Sequence, residues 1–151
     1  MEFWVGVGLA LAVSLMGRWV GLDRDRAFYP VILIVSASYY ALFAAMAGAT
    51  PVLGAETAMF AVFLIAGLVG FRSSLWVVVA GLLGHGLFDL GHELLVTNPG
   101  APDWWRMFCL GYDVAAAACL AWLLTRPNAS AARPAERHGQ PVQDAEYYRL
   151  L

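Results

Sequence analysis

Four residues with chemically versatile side chains recur at helical spacing in the second half of the chain. The stretch Gly84-His85-Gly86-Leu87-Phe88-Asp89-Leu90-Gly91-His92-Glu93 sets His85, Asp89 and His92 at offsets of four and three. On a helix these three fall within an arc of about 60°, and Glu93 widens it to about 100°. Further along, Cys109 and Asp113 repeat the offset of four. His85, Asp89, His92 and Asp113 together form a ligand set for Zn²⁺ or non-haem iron, because imidazole and carboxylate are ordinary ligands of both. The carboxylates Asp89, Asp113 and Glu93 can alternatively work as general acid and base without a metal. A ladder of His and Asp can also relay protons or ions. A fourth reading is purely structural: a hydrogen-bonded polar pair that joins two helices.

The elements that carry these residues must be membrane helices. The chain has 151 residues, 61% of them hydrophobic and 13% charged, whereas a soluble domain carries about 25% charged residues. That charge is too little to cover a water-soluble globule. The net charge of −2, with nine basic residues that are all Arg, excludes a nucleic-acid binder, which needs a basic face. An aromatic content of 13% excludes a chain that is disordered throughout. Five apolar runs, over residues 3–20, 27–47, 57–71, 75–96 and 107–125, approach the roughly 20 residues a bilayer crossing requires. The third is the shortest. Between the runs lie the charged segment 21–26, a Pro/Gly loop over 48–56, the turn Arg72-Ser73-Ser74, and the proline-rich segment 97–103. The first run reads as a retained helix, not a signal peptide: its charged flank follows the apolar segment, and no small-residue cleavage site comes after it.

Five spans put the termini on opposite sides. Arg18, Arg24, Arg26, Arg72, Arg126, Arg133, Arg137 and Arg149 share one side, and Arg106 stands alone on the other with Glu2, Glu56, Glu93 and Asp103. The positive-inside rule then sets the N-terminus outside and the C-terminus in the cytoplasm. Residues 1–126 form the transmembrane domain. Residues 127–151, with Pro127, Pro134 and Pro141 among Ala, Arg, Gln and Glu, read as a mostly disordered cytoplasmic tail.

This topology sets depth. The fourth helix runs outward and the fifth inward, so Asp89 and Asp113 each lie about seven residues, roughly 10 Å, below the outer surface. His92 and Cys109 share a shallower level, and His85 lies nearer the midplane. Face-to-face packing of these helices therefore brings His85, Asp89, His92 and Asp113 together, and Gly81, Gly84, Gly86 and Gly91 permit a close approach. Asn98, Asp103, Trp104, Trp105 and Arg106 cap the group from outside, with the tryptophans as interfacial anchors. Tyr39 and Tyr40 in the second span need hydrogen-bond partners in lipid, either in this group or between helices. Cys109 and Cys119 are about 15 Å apart on one helix and cannot pair.

The stretch from His85 to Trp122 resembles a family of small polytopic bacterial membrane proteins carried only as a domain of unknown function. The resemblance rests on His85 with Asp89 four residues on, His92 followed by Glu93, Asn98-Pro99, Cys109 with Asp113, and Trp122. It departs at Glu93, where the family has a second His, and in Trp104-Trp105-Arg106, which replaces a segment rich in Pro, Thr and Ser. The resemblance implies an all-helical membrane fold and a shared polar site, and it implies no established reaction.

The combined expectation is an all-α, five-helix, multi-pass protein of the inner (plasma) membrane, N-out and C-in. Its activity is expected to be that of a membrane-embedded, metal-dependent enzyme acting on a lipid-phase or small amphipathic ligand. The alternatives are a metal-free acid/base isomerase or terpenoid cyclase, a proton, ion or metal transporter, and an accessory subunit of a larger complex. Homo-oligomer formation through the glycine-rich fourth helix is a further expectation.

Overall fold

The computed structural model describes residues 1–126; the tail from 127 onward lies outside the described residues. Five helices account for almost all of it: α1 (Glu2–Val20), α2 (Phe28–Met46), α3 (Thr50–Arg72), α4 (Leu75–Leu95) and α5 (Trp105–Thr125). A 3₁₀ turn at Leu22–Arg24 links the first two, and no strand occurs among the described residues. All five helices are long and apolar enough to cross a membrane. Their outer faces are apolar as well, with Trp4, Leu15, Trp19, Leu87 and Leu94 exposed, as lipid-facing surfaces require.

The helix ends follow local chemistry. Gly21 closes α1 in the left-handed conformation, φ 89°, and its N–H donates to the Gly17 carbonyl, a cap that disfavours residues with a Cβ. Arg26 reaches across from the following loop. Its Nε donates to the Phe71 carbonyl at 2.6 Å and its Nη2 to the Ser73 carbonyl at 2.7 Å, satisfying the open carbonyl end of α3.

The third helix differs from the sequence expectation. It begins at Thr50 instead of residue 57 and, at 23 residues, is the longest of the five. Pro51 lies in its first turn, where a missing N–H costs nothing and the fixed φ is already helical. The chain reversal before it is made at Gly48, φ 65°. The supposed Pro/Gly loop is therefore mostly helix, and Glu56 rides on it inside the bundle, 1% exposed.

In packing order the helices run α1, α5, α4, α3, α2. Helix α4 is central and touches α5, α3 and α2, while α1 rests on α5 alone among the long helices. Where α1 meets α5, a Cβ added to Gly6 would collide with the Phe108 carbonyl, and one added to Gly111 with the Phe3 carbonyl. The two backbones are in direct contact there, the close approach that small residues allow in membranes. The half of the bundle that holds the arginine-rich loops has an apolar core built around Leu33, Val78, Leu82, Ala116 and Leu120. The other half contains the polar groups.

Candidate metal centre

Helix α4 presents one face to the rest of the bundle, with Val78, Leu82, His85, Asp89 and His92 all buried. Helix α5 turns Asp113 toward it, and Gly86 opens the space: a Cβ there would press on Leu110 and Asp113. His85 is 1% exposed, and Asp89 and Asp113 are 0%. His85 Nδ1 lies 2.6 Å from Asp113 Oδ2 and 3.6 Å from Asp89 Oδ2. Ligand atoms from all three lie within 4.8 Å of one another. Two ligand atoms on a tetrahedral ion, each about 2.1 Å from it, are about 3.4 Å apart. To share one ion, the hydrogen-bonded His85–Asp113 pair at 2.6 Å would have to open and the wider separations close, each by roughly 1 Å.

The hydrogen bonding of this group is incomplete. His85 Nε2, both Asp89 oxygens, Asp113 Oδ1 and the Tyr40 hydroxyl are buried and make no protein hydrogen bond, although Asp89 Oδ2 is 3.6 Å from His85 Nδ1 and the Tyr40 hydroxyl lies beside Asp89. Each buried, unpaired polar atom costs about 1–3 kcal/mol, and lipid supplies no water to relieve it. The donor set of one imidazole and two carboxylates matches Zn²⁺ and Fe²⁺ chemistry. Three protein ligands would leave a coordination position free, as in catalytic sites.

His92 does not join this group. It lies seven residues beyond His85 on nearly the same face, about 10 Å closer to the helix end, at the level that the longer α3 reaches with Glu56. His92 Nε2 is 2.9 Å from Glu56 Oε1, and Asn98 Nδ2 donates to Glu56 Oε1 at 2.8 Å and to the Tyr40 carbonyl at 2.9 Å. The Gly100 N–H donates to Asn98 Oδ1, and the Tyr40 ring stacks on the His92 ring at 3.8 Å. This second group ties α2, α3 and α4 to the loop before α5. Within it Glu56, His92 Nε2 and Asn98 all have partners.

The other sequence candidates are spread around these two groups. Glu93 is on the surface, its side chain 57% exposed, and pairs with Arg106. Asn98 is buried under the loop instead of covering it from outside. Trp104 is exposed as an anchor would be, but Trp105 is 8% exposed and packs against Tyr39 and Phe43. Of the glycines on α4, Gly86 faces α5 and Gly81 faces Leu33, while Gly84 and Gly91 have nothing within 4 Å. Cys109 and Cys119 are both free thiols. Glu56 is the residue that sequence reasoning missed, and the signal for it was Pro51 at a position where a helix can start.

Compared with protein-family models, curated proteins and solved structures, the chain gives no match.

Proposed function

We propose that this protein is a membrane-embedded, metal-dependent enzyme whose centre is His85, Asp89 and Asp113 and whose substrate arrives from the lipid phase. The observation that carries this reading is the contrast between the two buried groups. In the Glu56–His92–Asn98 group the side chains pair with one another, as expected of side chains that fasten helices. Four polar atoms of the His85–Asp89–Asp113 group make no protein hydrogen bond. In a metal-bound form the carboxylates are ionised and the imidazole neutral, and their summed charge of −2 would be cancelled by a divalent cation.

His85, Asp89 and Asp113 would hold Zn²⁺ or Fe²⁺, and such an ion polarises a substrate oxygen or lowers the pKa of a bound water. Tyr40 supplies a hydroxyl beside Asp89, able to donate to or accept from a reacting oxygen. Glu93 takes no part in this centre. The arginines support an inner-membrane orientation with the N-terminus outside: five of the six within residues 1–126 lie at the end of the bundle that holds the 21–26 loop. The likeness to small polytopic bacterial membrane proteins belongs to the same proposal.

The test is metal content of protein purified in detergent. Wild type is expected to retain about one transition-metal ion per chain, and His85→Ala and Asp113→Asn to lose it while His92→Ala keeps it. A metal-free wild type, or equal metal in all four proteins, overturns the proposal.

A further inference from the structure

At the end of the bundle that holds the 21–26 loop, α1 and α5 leave a groove of about 290 Å³ between them. Leu11 and Leu15 of α1 and Leu123 of α5 form its apolar walls, and Arg18, Asp23 and Trp122 line it nearest the loop. Leu11 is 45% and Leu15 66% exposed, so the groove is open sideways to lipid. From Leu11 to Arg18 it follows α1 for seven residues, about 10 Å. One leaflet of a hydrocarbon core about 30 Å thick is about 15 Å deep, so the groove reaches from the interface well into that leaflet.

Charge at the mouth of the groove names the occupant. The guanidinium carbons of Arg18 and Arg126 lie 5.5 Å and 3.3 Å from the centroid of the same Trp122 ring. They are therefore no further apart than the sum of those distances, about 9 Å. Like charges this close repel. Among the described residues one carboxylate answers them: Asp23 Oδ2 is 4.0 Å from Arg18 Nη1. The three side chains sum to +1, which the single charge of a phosphodiester cancels. With charge-assisted bonds of about 2.8 Å, phosphorus sits about 4 Å from a guanidinium carbon, so one phosphate spans two guanidiniums up to about 8 Å apart. No more than about 1 Å of closure then lets one phosphate take both arginines. A free phosphate would leave the leucine groove empty, and an uncharged chain would leave the arginines unanswered. An anionic phospholipid satisfies both parts.

We propose that the groove between α1 and α5 binds one anionic phospholipid, its phosphate between Arg18 and Arg126 and one acyl chain along Leu11, Leu15 and Leu123. Guanidinium is suited to the task because its planar fork meets phosphate oxygens two at a time. Trp122 holds both arginines at headgroup level by cation–π attraction, and basic clefts between membrane helices are a known means of headgroup recognition. A lipid with net charge −1 is preferred over a zwitterionic one, whose added cation would face the arginines. Trp122 is nine residues, about 13 Å along α5, from Asp113, and the site stands independently of the metal-centre reading.

The experiment is native mass spectrometry of the full chain, delipidated in detergent and titrated with dioleoyl phosphatidylglycerol, dioleoyl phosphatidylcholine, or glycerophosphoglycerol, the headgroup without chains. Wild type is expected to bind one phosphatidylglycerol at least fivefold more tightly than phosphatidylcholine and to bind the bare headgroup at least tenfold more weakly. The double variant Arg18→Gln with Arg126→Gln should lose the preference, while Arg72→Gln, which removes an arginine from the same end of the bundle on α3, should keep it. Leu15→Trp fills the groove from a lipid-exposed position and should weaken both lipids at least fivefold with unchanged helical circular dichroism. Equal binding of the two lipids by wild type overturns the proposal. So does an equal loss in Arg72→Gln, which would mean a diffuse positive surface, or headgroup binding as tight as that of the lipid, which would mean a phosphate site alone. Wild-type lipid binding by Leu15→Trp, or a lipid-free dimer in place of a lipid-bound monomer, overturns it as well.

Discussion

Replacing Glu56 by Ala should destabilise the bundle. The substitution removes the acceptor for two buried donors, His92 Nε2 at 2.9 Å and Asn98 Nδ2 at 2.8 Å. With Glu56 1% exposed, His92 2% and Asn98 9%, the bonds that are lost lie inside the bundle. Two orphaned donors at about 1–3 kcal/mol each give a loss of roughly 2–6 kcal/mol. Interhelical hydrogen bonds in membranes measure about 0.6 and at most about 1.7 kcal/mol, because the unfolded chain in lipid also finds partners. The expected loss is therefore at the lower end, about 2–3 kcal/mol. Glu56→Gln, which keeps an acceptor for Asn98, should lose less. The assay is reversible unfolding in mixed micelles titrated with sodium dodecyl sulfate and followed by circular dichroism. A double-mutant cycle with Asn98→Ala should return a coupling above about 0.5 kcal/mol, since the two residues share a bond. A Glu56→Ala loss below about 0.5 kcal/mol, or strict additivity with Asn98→Ala, would refute the reasoning.

Three further outcomes follow from the geometry. Gly111→Ala should cost about 1–3 kcal/mol in the same unfolding assay, because the added Cβ meets the Phe3 carbonyl, whereas Gly84→Ala, with open space around it, should not destabilise the protein. Glu93→Gln should leave stability within about 1 kcal/mol of wild type and metal content unchanged, its partner Arg106 being at the surface. Green fluorescent protein fused after Arg126 should fluoresce and alkaline phosphatase at the same point should be inactive; the reverse pattern would contradict the orientation drawn from the arginines.

The apolar runs made the five helices legible, because a bilayer demands long uncharged segments and few other sequences supply them. The meeting of His85, Asp89 and Asp113 was legible too: an offset of four on α4 and a matched distance from the connecting loop on α5 leave little freedom in depth. The boundary between 48 and 56 was misread because Pro and Gly mark turns in most contexts, and only the position of Pro51 in a first turn makes it a helix starter. Glu56 was lost with that boundary, and so was the partner that draws His92 away from the other ligands. Trp105 and Trp104 are adjacent and identical in type, yet one is buried and the other exposed, a difference set by how α5 is rotated against α2. Helix rotation depends on packing among all neighbours, which local pattern does not encode.

The central claim is that His85, Asp89 and Asp113 form a metal centre, and X-ray absorption spectroscopy at the Zn and Fe edges of the purified protein tests it most directly. The predicted result is one metal per chain with a single imidazole nitrogen and oxygen ligands at about 2.0–2.2 Å, a signal that disappears in His85→Ala. A spectrum without protein-bound metal, one dominated by sulfur at about 2.3 Å, or one unchanged in His85→Ala would contradict it.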